Sequence, residues 1–193
     1  MTTATMEKPA RVAMNGVDVP TFIATLGAVD KQREIARFTF RANGQWLSGT
    51  HSRVKFKNFF GACAENEHNQ TYMIEGDHPE VLCGTDNAPT PAELLLGALS
   101  ACLTAGIGNI ASMRQVKLES VEVMIEGEID LNGILGIDPQ TRNGFQGVRV
   151  LIAIKGDADD ETLEKIVHQS VARSAVFDVM TNGVPVAVSA VVS

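Results

Sequence analysis

Three cysteines are the side chains of this 193-residue sequence with the greatest capacity for nucleophilic or redox chemistry: Cys63, Cys83 and Cys102. A thiol reacts as its thiolate, so each of them would need a neighbouring group that favours the ionised form. Three scattered cysteines are too few for a disulfide scaffold or a zinc site, and an odd number leaves at least one thiol unpaired. Free thiols of this kind fit a reducing compartment.

Cys102 is the most informative of the three because it lies in the middle of a long apolar segment. That segment begins with Thr90-Pro91-Ala92-Glu93, which combines a hydroxyl N-cap, a proline in the first turn and a capping-box glutamate. The pattern predicts a core helix of about 24 residues that is buried on most sides, because it is apolar nearly all round. Two interpretations of Cys102 stay open: a reactive thiol that obtains a cation from elsewhere, or a small buried hydrophobic residue.

Basic residues alternate along a predicted strand at His51, Arg53, Lys55 and Lys57. One face of that strand could bind an anion or supply the cation near Cys102, and a solvated or lysine-guarded strand edge is the competing interpretation. None of the four histidines has the spacing of a metal site, so the sequence predicts no metal and no cofactor. Ser174 lacks an adjacent histidine and a nucleophile-elbow context, which disfavours serine hydrolysis.

The elements around the central helix follow an α+β order rather than a βαβ order. Before the helix, periodicity and turn residues predict an arm helix over Pro20–Arg33, a hairpin turning at Asn43-Gly44, a strand over Thr50–Phe56, and a turn over Glu65–Gln70 before a short strand near Thr71–Ile74. After it, they predict antiparallel strands at 121–125 and 148–154, a helix that starts at Asp157–Asp160 and continues in further turns up to Gly183, and a closing strand over Val184–Val192.

Composition limits the functional classes that fit. The chain is 45% hydrophobic and 20% charged, as in a globular protein, and its length favours one domain with an extension. Its 16 basic and 23 acidic residues give a net charge of −7, so we expect no nucleic-acid partner. Met1–Gly16 lacks the apolar core of a signal peptide, and no uninterrupted apolar run reaches membrane-spanning length. We therefore expect a cytoplasmic protein without a membrane partner.

Several stretches resemble the OsmC/Ohr superfamily: Glu75-Gly76-Asp77-His78-Pro79, the segment Val81–Thr104, Gly156-Asp157-Ala158, and Ser174–Val186. The resemblance covers residues 36–193 and leaves 1–35 as an N-terminal arm with a short helix. It implies an α+β fold with two central helices packed between antiparallel sheets. It also implies an intertwined homodimer whose two active sites lie at the interface.

Peroxidase members of that superfamily use two cysteines, one to attack an organic hydroperoxide and one to resolve the sulfenic acid. Cys102 corresponds to the first, and Ser174 stands where the second is typical. A hydroxyl cannot form a disulfide, so the resemblance implies that the two-cysteine cycle cannot close here. Cys83, in the loop before the helix, could resolve Cys102 if the loop folds back. The competing interpretation of Cys83 is a surface thiol without a partner.

The resemblance also implies an arginine that stabilises the thiolate and a glutamate that orients this arginine. Arg53 is our first candidate for the arginine, and Arg41 is the second. The superfamily's glutamate precedes the first cysteine by ten residues, where this chain has Ala92, so Glu93 is the nearest carboxylate. Nine residues are about 2.5 helical turns, which predicts that Glu93 faces away from Cys102.

Two functional hypotheses follow. In the first, Cys102 reduces a small hydrophobic peroxide in oxidative or osmotic stress defence and an external thiol resolves the product, the activity being altered or lost relative to two-cysteine members. In the second, a non-catalytic homodimer binds a small ligand or senses oxidants through Cys102. Consumption of hydroperoxide that depends on Cys102 distinguishes the two hypotheses.

Overall fold

The computed structural model describes residues 12–192, so the first eleven residues of the predicted N-terminal arm lie outside the described part of the chain. The chain divides into two compact units. The N-terminal unit is Asp18–Gly97, and the C-terminal unit comprises residues 12–17 and the chain from Ala98 onward.

The N-terminal unit begins with α1 (Val19–Lys31), which confirms the predicted arm helix. The Asp18 carboxylate caps it by accepting hydrogen bonds from the Thr21 backbone N–H at 3.0 Å and the Thr21 hydroxyl at 2.7 Å. An antiparallel sheet follows, made of β1 (Thr39–Phe40), β2 (Asn43–Ser48), β3 (His51–Gly61) and β4 (Ala64–Gly76). β3 pairs with each of the other three strands, so it is the centre of this unit.

The hairpin predicted at Asn43-Gly44 is wrong. These two residues lie inside β2, opposite Lys55 and Val54 of β3, and the chain turns later, at Gly49. Gly49 has a φ of +52°, a conformation that costs glycine little. Asn-Gly is compatible with a tight turn but does not require one. Here the hydrogen bonds to the long strand β3 hold Asn43 and Gly44 in an extended conformation.

The turn predicted over Glu65–Gln70 is also wrong, because these residues belong to the 13-residue strand β4. The turn before β4 is formed by Ala62 and Cys63, whose φ values of 50° and 62° place two non-glycine residues in the left-handed region. Most β4 side chains are exposed, so the polar residues that suggested a loop are outward-facing strand residues.

The predicted long helix is confirmed as α2 (Pro91–Met113). Its buried side chains are Leu99, Leu103, Ile107, Ile110, Ala111 and Ser112. The expectation that it is buried on most sides is wrong for the single chain, since only 28% of its apolar 18-residue window is buried. By length and composition alone α2 could cross a membrane, but the core helix of a soluble protein passes the same test.

The C-terminal unit contains the predicted strand pair as β5 (Leu118–Glu128) and β6 (Gly147–Gly156), which are antiparallel neighbours. α3 (Leu131–Ile134) lies in the connection between them, and α4 (Asp160–Ala172) follows β6. The core of the unit joins α2 to α4 through Ile107, Ile110, Ala111, Val116, Leu163 and Ile166.

α2 and α4 approach closely at Gly106, because a Cβ there would collide with the Ser170 hydroxyl. Ser170 is buried, and its hydroxyl donates a hydrogen bond to the Leu103 carbonyl oxygen at 2.8 Å. This contact sets the spacing of the two helices just before the chain continues into its last helix.

α5 (Ala175–Asn182) follows α4 after two non-helical residues and ends at Gly183, whose φ is +68°, which confirms the predicted end. The closing strand predicted over Val184–Val192 is wrong for the single chain, since residues 184–192 form neither helix nor strand. Their side chains are exposed, with Val188 at 88%. Alternating valines favour a strand only where another strand offers hydrogen bonds, and this segment pairs with none in the described part of the chain.

Candidate active site

The side chains of Cys102 and Ser174 meet in the C-terminal unit. The Ser174 hydroxyl donates a hydrogen bond to the Cys102 sulfur, and the oxygen-to-sulfur distance is 3.0 Å. Ser174 is only 5% exposed, whereas Cys102 is half-buried. The two residues are 72 positions apart in sequence, so the packing of α2 against the start of α5 creates the contact.

Ser174 is also the N-cap residue of α5. Its oxygen accepts a hydrogen bond from the Phe177 backbone N–H at 3.1 Å, the usual bond of a serine cap. The hydroxyl therefore donates to the sulfur of Cys102 and accepts from α5 at the same time. A helix cap, which the local sequence specifies, thus positions the donor that faces the thiol.

The first turn of α5 favours the ionised form of Cys102. Burial raises the pKa of the Cys102 thiol, but the Ser174 hydroxyl and the backbone N–H groups of Val176 and Ala175 lower it, and the resulting pKa lies below the ordinary value for cysteine. These N–H groups have no partner within the helix and lie at the positive end of its dipole. A different helix from the one that carries the thiol supplies the stabilisation.

Arg53 lies on β3 of the N-terminal unit, directly opposite Glu75 on β4. Its Nε and Nη2 atoms are 2.7 and 2.6 Å from Oε1 of the Glu75 carboxylate. The Nε2 atom of His51 is 2.9 Å from the other oxygen of that carboxylate. The hydrogen bonds from His51 and Arg53 hold the pKa of Glu75 below its usual value. The three side chains form one half-buried cluster of mixed charge.

Glu93 belongs to the cap of α2. Its Oε2 atom accepts hydrogen bonds from the Thr90 backbone N–H at 2.7 Å and the Thr90 hydroxyl at 2.9 Å, and both lower the pKa of Glu93. Arg41 forms an exposed ion pair with Glu65 at 2.7 Å. Arg41 and Arg53 therefore each bind a carboxylate on β4 rather than Glu93. The catalytic roles of Arg53 and Glu93 stay predictions.

The loop between β4 and α2 is organised by Asp77, a residue that the sequence analysis did not assign. Asp77 is fully buried and accepts hydrogen bonds from the hydroxyls of Thr50 at 2.6 Å and Thr85 at 2.8 Å. It also accepts from the backbone N–H of His78 at 2.8 Å, and from the backbone and side chain of Asn87 at 3.1 Å. These bonds, the Thr50 bond foremost, hold the pKa of Asp77 far below its usual range.

Cys83 lies in the same loop, just after a short 3₁₀ turn at Glu80–Leu82. It is exposed, and its φ of 62° is left-handed. A Cβ on the adjacent Gly84 would collide with the His78 carbonyl oxygen, so the loop passes close to itself at this point. The loop is thus tightly packed around Asp77, and the proposed resolving role of Cys83 stays a prediction.

A comparison with protein-family models matches residues 84–189, more than half of the chain, to the family described as OsmC-like protein. The chain belongs to the OsmC-like protein family. The matched region contains both Cys102 and Ser174, and the resemblance stated from the sequence is confirmed. A search of curated protein sequences found no match.

Solved structures of OsmC-like proteins are similar in fold. An OsmC-like protein of Mycoplasma pneumoniae is 12% identical, with a TM-score of 0.56 over 75% of this chain and 88% of that one. An organic hydroperoxide resistance protein OsmC of Legionella pneumophila is 18% identical, with a TM-score of 0.50 over 75% and 90%. An organic hydroperoxide resistance protein of Elizabethkingia anophelis is 17% identical, with a TM-score of 0.51 over 75% of this chain and 89% of that one. These likenesses confirm the predicted α+β fold.

Two features of this OsmC-like chain were not anticipated from its sequence. Glu75, the carboxylate that binds Arg53, is the first residue of a motif that was quoted only for its resemblance. The N-terminus of α5, which favours the Cys102 thiolate, has Ser174 as its signal, since a serine before Ala175 is a typical N-cap. In residues 12–192 no group of three or more His, Cys, Asp or Glu side chains could hold a metal ion.

Proposed function

We propose that this OsmC-like protein reduces small organic hydroperoxides in stress defence through a single cysteine, Cys102, with an external thiol as reductant. The observation that carries the proposal is the hydrogen bond from the Ser174 hydroxyl to the Cys102 sulfur at 3.0 Å. Two of the similar structures are organic hydroperoxide resistance proteins, which supports this class of substrate. The free cysteines suit the cytoplasm, where small thiols keep protein thiols reduced.

The first step is attack of the Cys102 thiolate on the outer oxygen of the hydroperoxide. The oxygen–oxygen bond breaks, the sulfur loses two electrons and becomes a sulfenic acid, and the alkoxide takes a proton from solvent to leave as an alcohol. The lowered pKa of Cys102 increases the fraction of thiolate available for this step.

The second step requires a thiol from outside the chain, because Ser174 cannot form a disulfide. An external thiol attacks the sulfenic acid, releases water and forms a mixed disulfide with Cys102. A second external thiol then attacks the mixed disulfide, restores the Cys102 thiol and leaves as the oxidised small disulfide. Activity should therefore depend on the concentration of added thiol, without an intramolecular disulfide intermediate.

The test is consumption of cumene hydroperoxide with dithiothreitol as the external thiol. We expect Cys102→Ser to abolish the protein-dependent rate, and Cys83→Ser and Cys63→Ser, both exposed thiols, to keep it as matched controls. Loss of turnover in Cys83→Ser would instead identify Cys83 as the resolving thiol. Absence of consumption by the wild type refutes the peroxidase proposal. Oxidation of Cys102 once, without turnover, would support the sensing hypothesis.

We also propose that the protein is a homodimer, since one chain leaves large apolar surfaces uncovered. On the sheet of the N-terminal unit, the rings of Phe38, Phe40 and Phe59 pack with centroids 5.8 to 6.4 Å apart, and Phe40 is 74% exposed. Apolar patches of this kind mark interaction sites in soluble proteins. Sedimentation velocity at several concentrations tests the proposal, and a monomer at all concentrations would contradict it.

A further inference from the structure

The environment of Cys102 can stabilise a second anion besides the thiolate. The Ser174 hydroxyl donates a hydrogen bond to the sulfur at 3.0 Å, and the backbone N–H groups of Val176 and Ala175, in the first turn of α5, also lower the pKa of the Cys102 thiol. All three are fixed by the fold, because Ser174 is buried and bonded to Phe177 and the two amides belong to the first turn of α5. Donors held in place for a negative sulfur are also in place for a negative oxygen bonded to that sulfur.

Oxidation produces such an oxygen. In the proposed reaction the peroxide leaves one oxygen atom on Cys102, giving Cys–S–OH, and loss of its proton to solvent gives the sulfenate Cys–S–O⁻. The resemblance to the superfamily implies that two-cysteine members have a thiol at the position of Ser174, which attacks the sulfenic sulfur and releases this oxygen as water. Here Ser174 cannot form a disulfide with Cys102, but its hydroxyl can donate a hydrogen bond to the oxygen.

We propose that Ser174 keeps oxidised Cys102 in the sulfenate form, by donating to the new oxygen the hydrogen bond that it donates to the thiolate in the reduced protein. This inference rests on the proposed function, since it requires that a hydroperoxide oxidises Cys102. Ser174 then sets the pH range in which the external thiol resolves the oxidised cysteine. The neutral sulfenic acid is the more electrophilic form, so resolution accelerates as the sulfenate takes up a proton.

The charged groups on α2 and at the start of α5 do not contribute to the lowered pKa of Cys102. α2 carries no charged residue between Glu93 and Arg114. At the start of α5 the flanking charges are Arg173, just after α4, and Asp178 in the first turn, and both side chains are exposed. Neither of them contributes to the lowered pKa of Cys102, which arises from uncharged donors alone.

The test measures the pH dependence of the sulfenic acid itself. The protein, in a Cys63→Ser, Cys83→Ser background, is treated with one equivalent of cumene hydroperoxide, and intact mass confirms the addition of one oxygen atom. A strained cycloalkene, which reacts with the neutral sulfenic acid and has no titratable group, then labels Cys102 across a pH series. In the wild type we expect labelling to fall with rising pH around a midpoint set by ionisation of the sulfenic acid.

Removing the donor should move that midpoint. In Ser174→Ala we expect it to rise by about one pH unit, which corresponds to a tenfold lower acid dissociation constant. Ser174→Asp retains a capping oxygen for Phe177 but adds a negative charge, so its midpoint should rise at least as far. Ser170→Ala is the matched control, because it removes a buried serine hydroxyl that bonds the Leu103 carbonyl of α2 rather than the sulfur.

The outcomes separate this inference from the function on which it rests. No added oxygen in the wild type overturns both the peroxidase proposal and the role of Ser174. An added oxygen with the same midpoint in wild type, Ser174→Ala and Ser174→Asp overturns the role of Ser174 alone. An equal rise in Ser170→Ala also overturns it, because the effect would then come from helix packing.

Discussion

Ser174→Cys should convert this protein into one that forms an intramolecular disulfide with Cys102. The Ser174 oxygen is 3.0 Å from the Cys102 sulfur, and a disulfide bond is about 2.05 Å long, so the two side chains need to approach by about 1 Å. Small rotations about the two Cα–Cβ bonds can supply that movement. The substitution places a thiol where the resemblance to the superfamily implies the resolving cysteine of its peroxidase members.

The stability of this variant can be estimated from the structure. The two residues are 72 positions apart, and closing a loop of that length stabilises the folded chain by about 4 kcal/mol in the chain-entropy model. Loss of the serine cap of α5 costs about 1 kcal/mol, so the oxidised variant should gain about 3 kcal/mol. For a protein of this size, that gain corresponds to a melting temperature roughly 6–12 °C higher. The reduced variant should melt roughly 2–4 °C below the wild type.

The assay is made in a Cys63→Ser, Cys83→Ser background, so that no other thiol competes. Intact mass and free-thiol counting after one equivalent of hydroperoxide report the disulfide, and thermal unfolding with and without reductant reports its effect. Ser170→Cys is the matched control, because its new thiol faces the Leu103 carbonyl and should stay free. A folded Ser174→Cys protein that keeps both thiols after oxidation would show that the two side chains do not meet as described.

Three further predictions concern the supports of the site. Asp77→Asn should destabilise the protein by about 2 kcal/mol in urea unfolding, because a buried acceptor with five hydrogen bonds loses its charge. Since the folded pKa of Asp77 is depressed, its stabilisation is present above the unfolded pKa and is lost as pH falls, so the variant's deficit should shrink in acid. Gly106→Ala should cost about 1–3 kcal/mol through collision with Ser170, and Ser170→Ala should recover part of that loss; equal losses in both backgrounds would argue against the collision. Deletion of residues 184–192 should weaken the proposed dimer in sedimentation velocity, and an unchanged dissociation constant would exclude this segment from the interface.

The helices of this fold could be predicted from sequence because their signals are local. Thr90-Pro91-Ala92-Glu93 marks the start of α2, and the capping bonds between Thr90 and Glu93 are present in the structure. Asp159 and Gly183 mark the start of α4 and the end of α5 in the same way. Such signals depend on residues three or four positions apart, so tertiary context seldom overrides them.

The strands were harder to place because their pairing depends on distant residues. Asn43-Gly44 resembles a hairpin turn, but β3 pairs with these residues and moves the turn to Gly49. The sequence did not predict the full length of β4, because most of its side chains are exposed and polar and suggested a loop. The tail after Gly183 has a strand pattern, yet its exposed valines find no partner strand in the described chain.

The candidate site was predictable in its parts but not in their arrangement. Cys102 and Ser174 were both singled out, yet their contact spans 72 positions and depends on how α2 and α4 pack at Gly106. Sequence spacing predicts that Glu93, at the N-terminus of α2, faces away from Cys102, and this stays a prediction. It could not indicate that the N-terminus of another helix, α5, would take its place beside the sulfur.

The shared hydroxyl of Ser174 links the ionisation of Cys102 to the local unfolding of α5. Because the folded pKa of Cys102 lies below its value in an unfolded chain, the folded state gains stability as pH rises through the interval between the two pKa values, and loses that gain as pH falls. Fraying of the first turn of α5 removes the donors. The same free energy should therefore make amide hydrogen exchange at the start of α5 slower, relative to the intrinsic exchange rate, when Cys102 is ionised than when it is protonated. By reciprocity, a molecule that binds and orders α5 would make Cys102 more acidic without touching the sulfur.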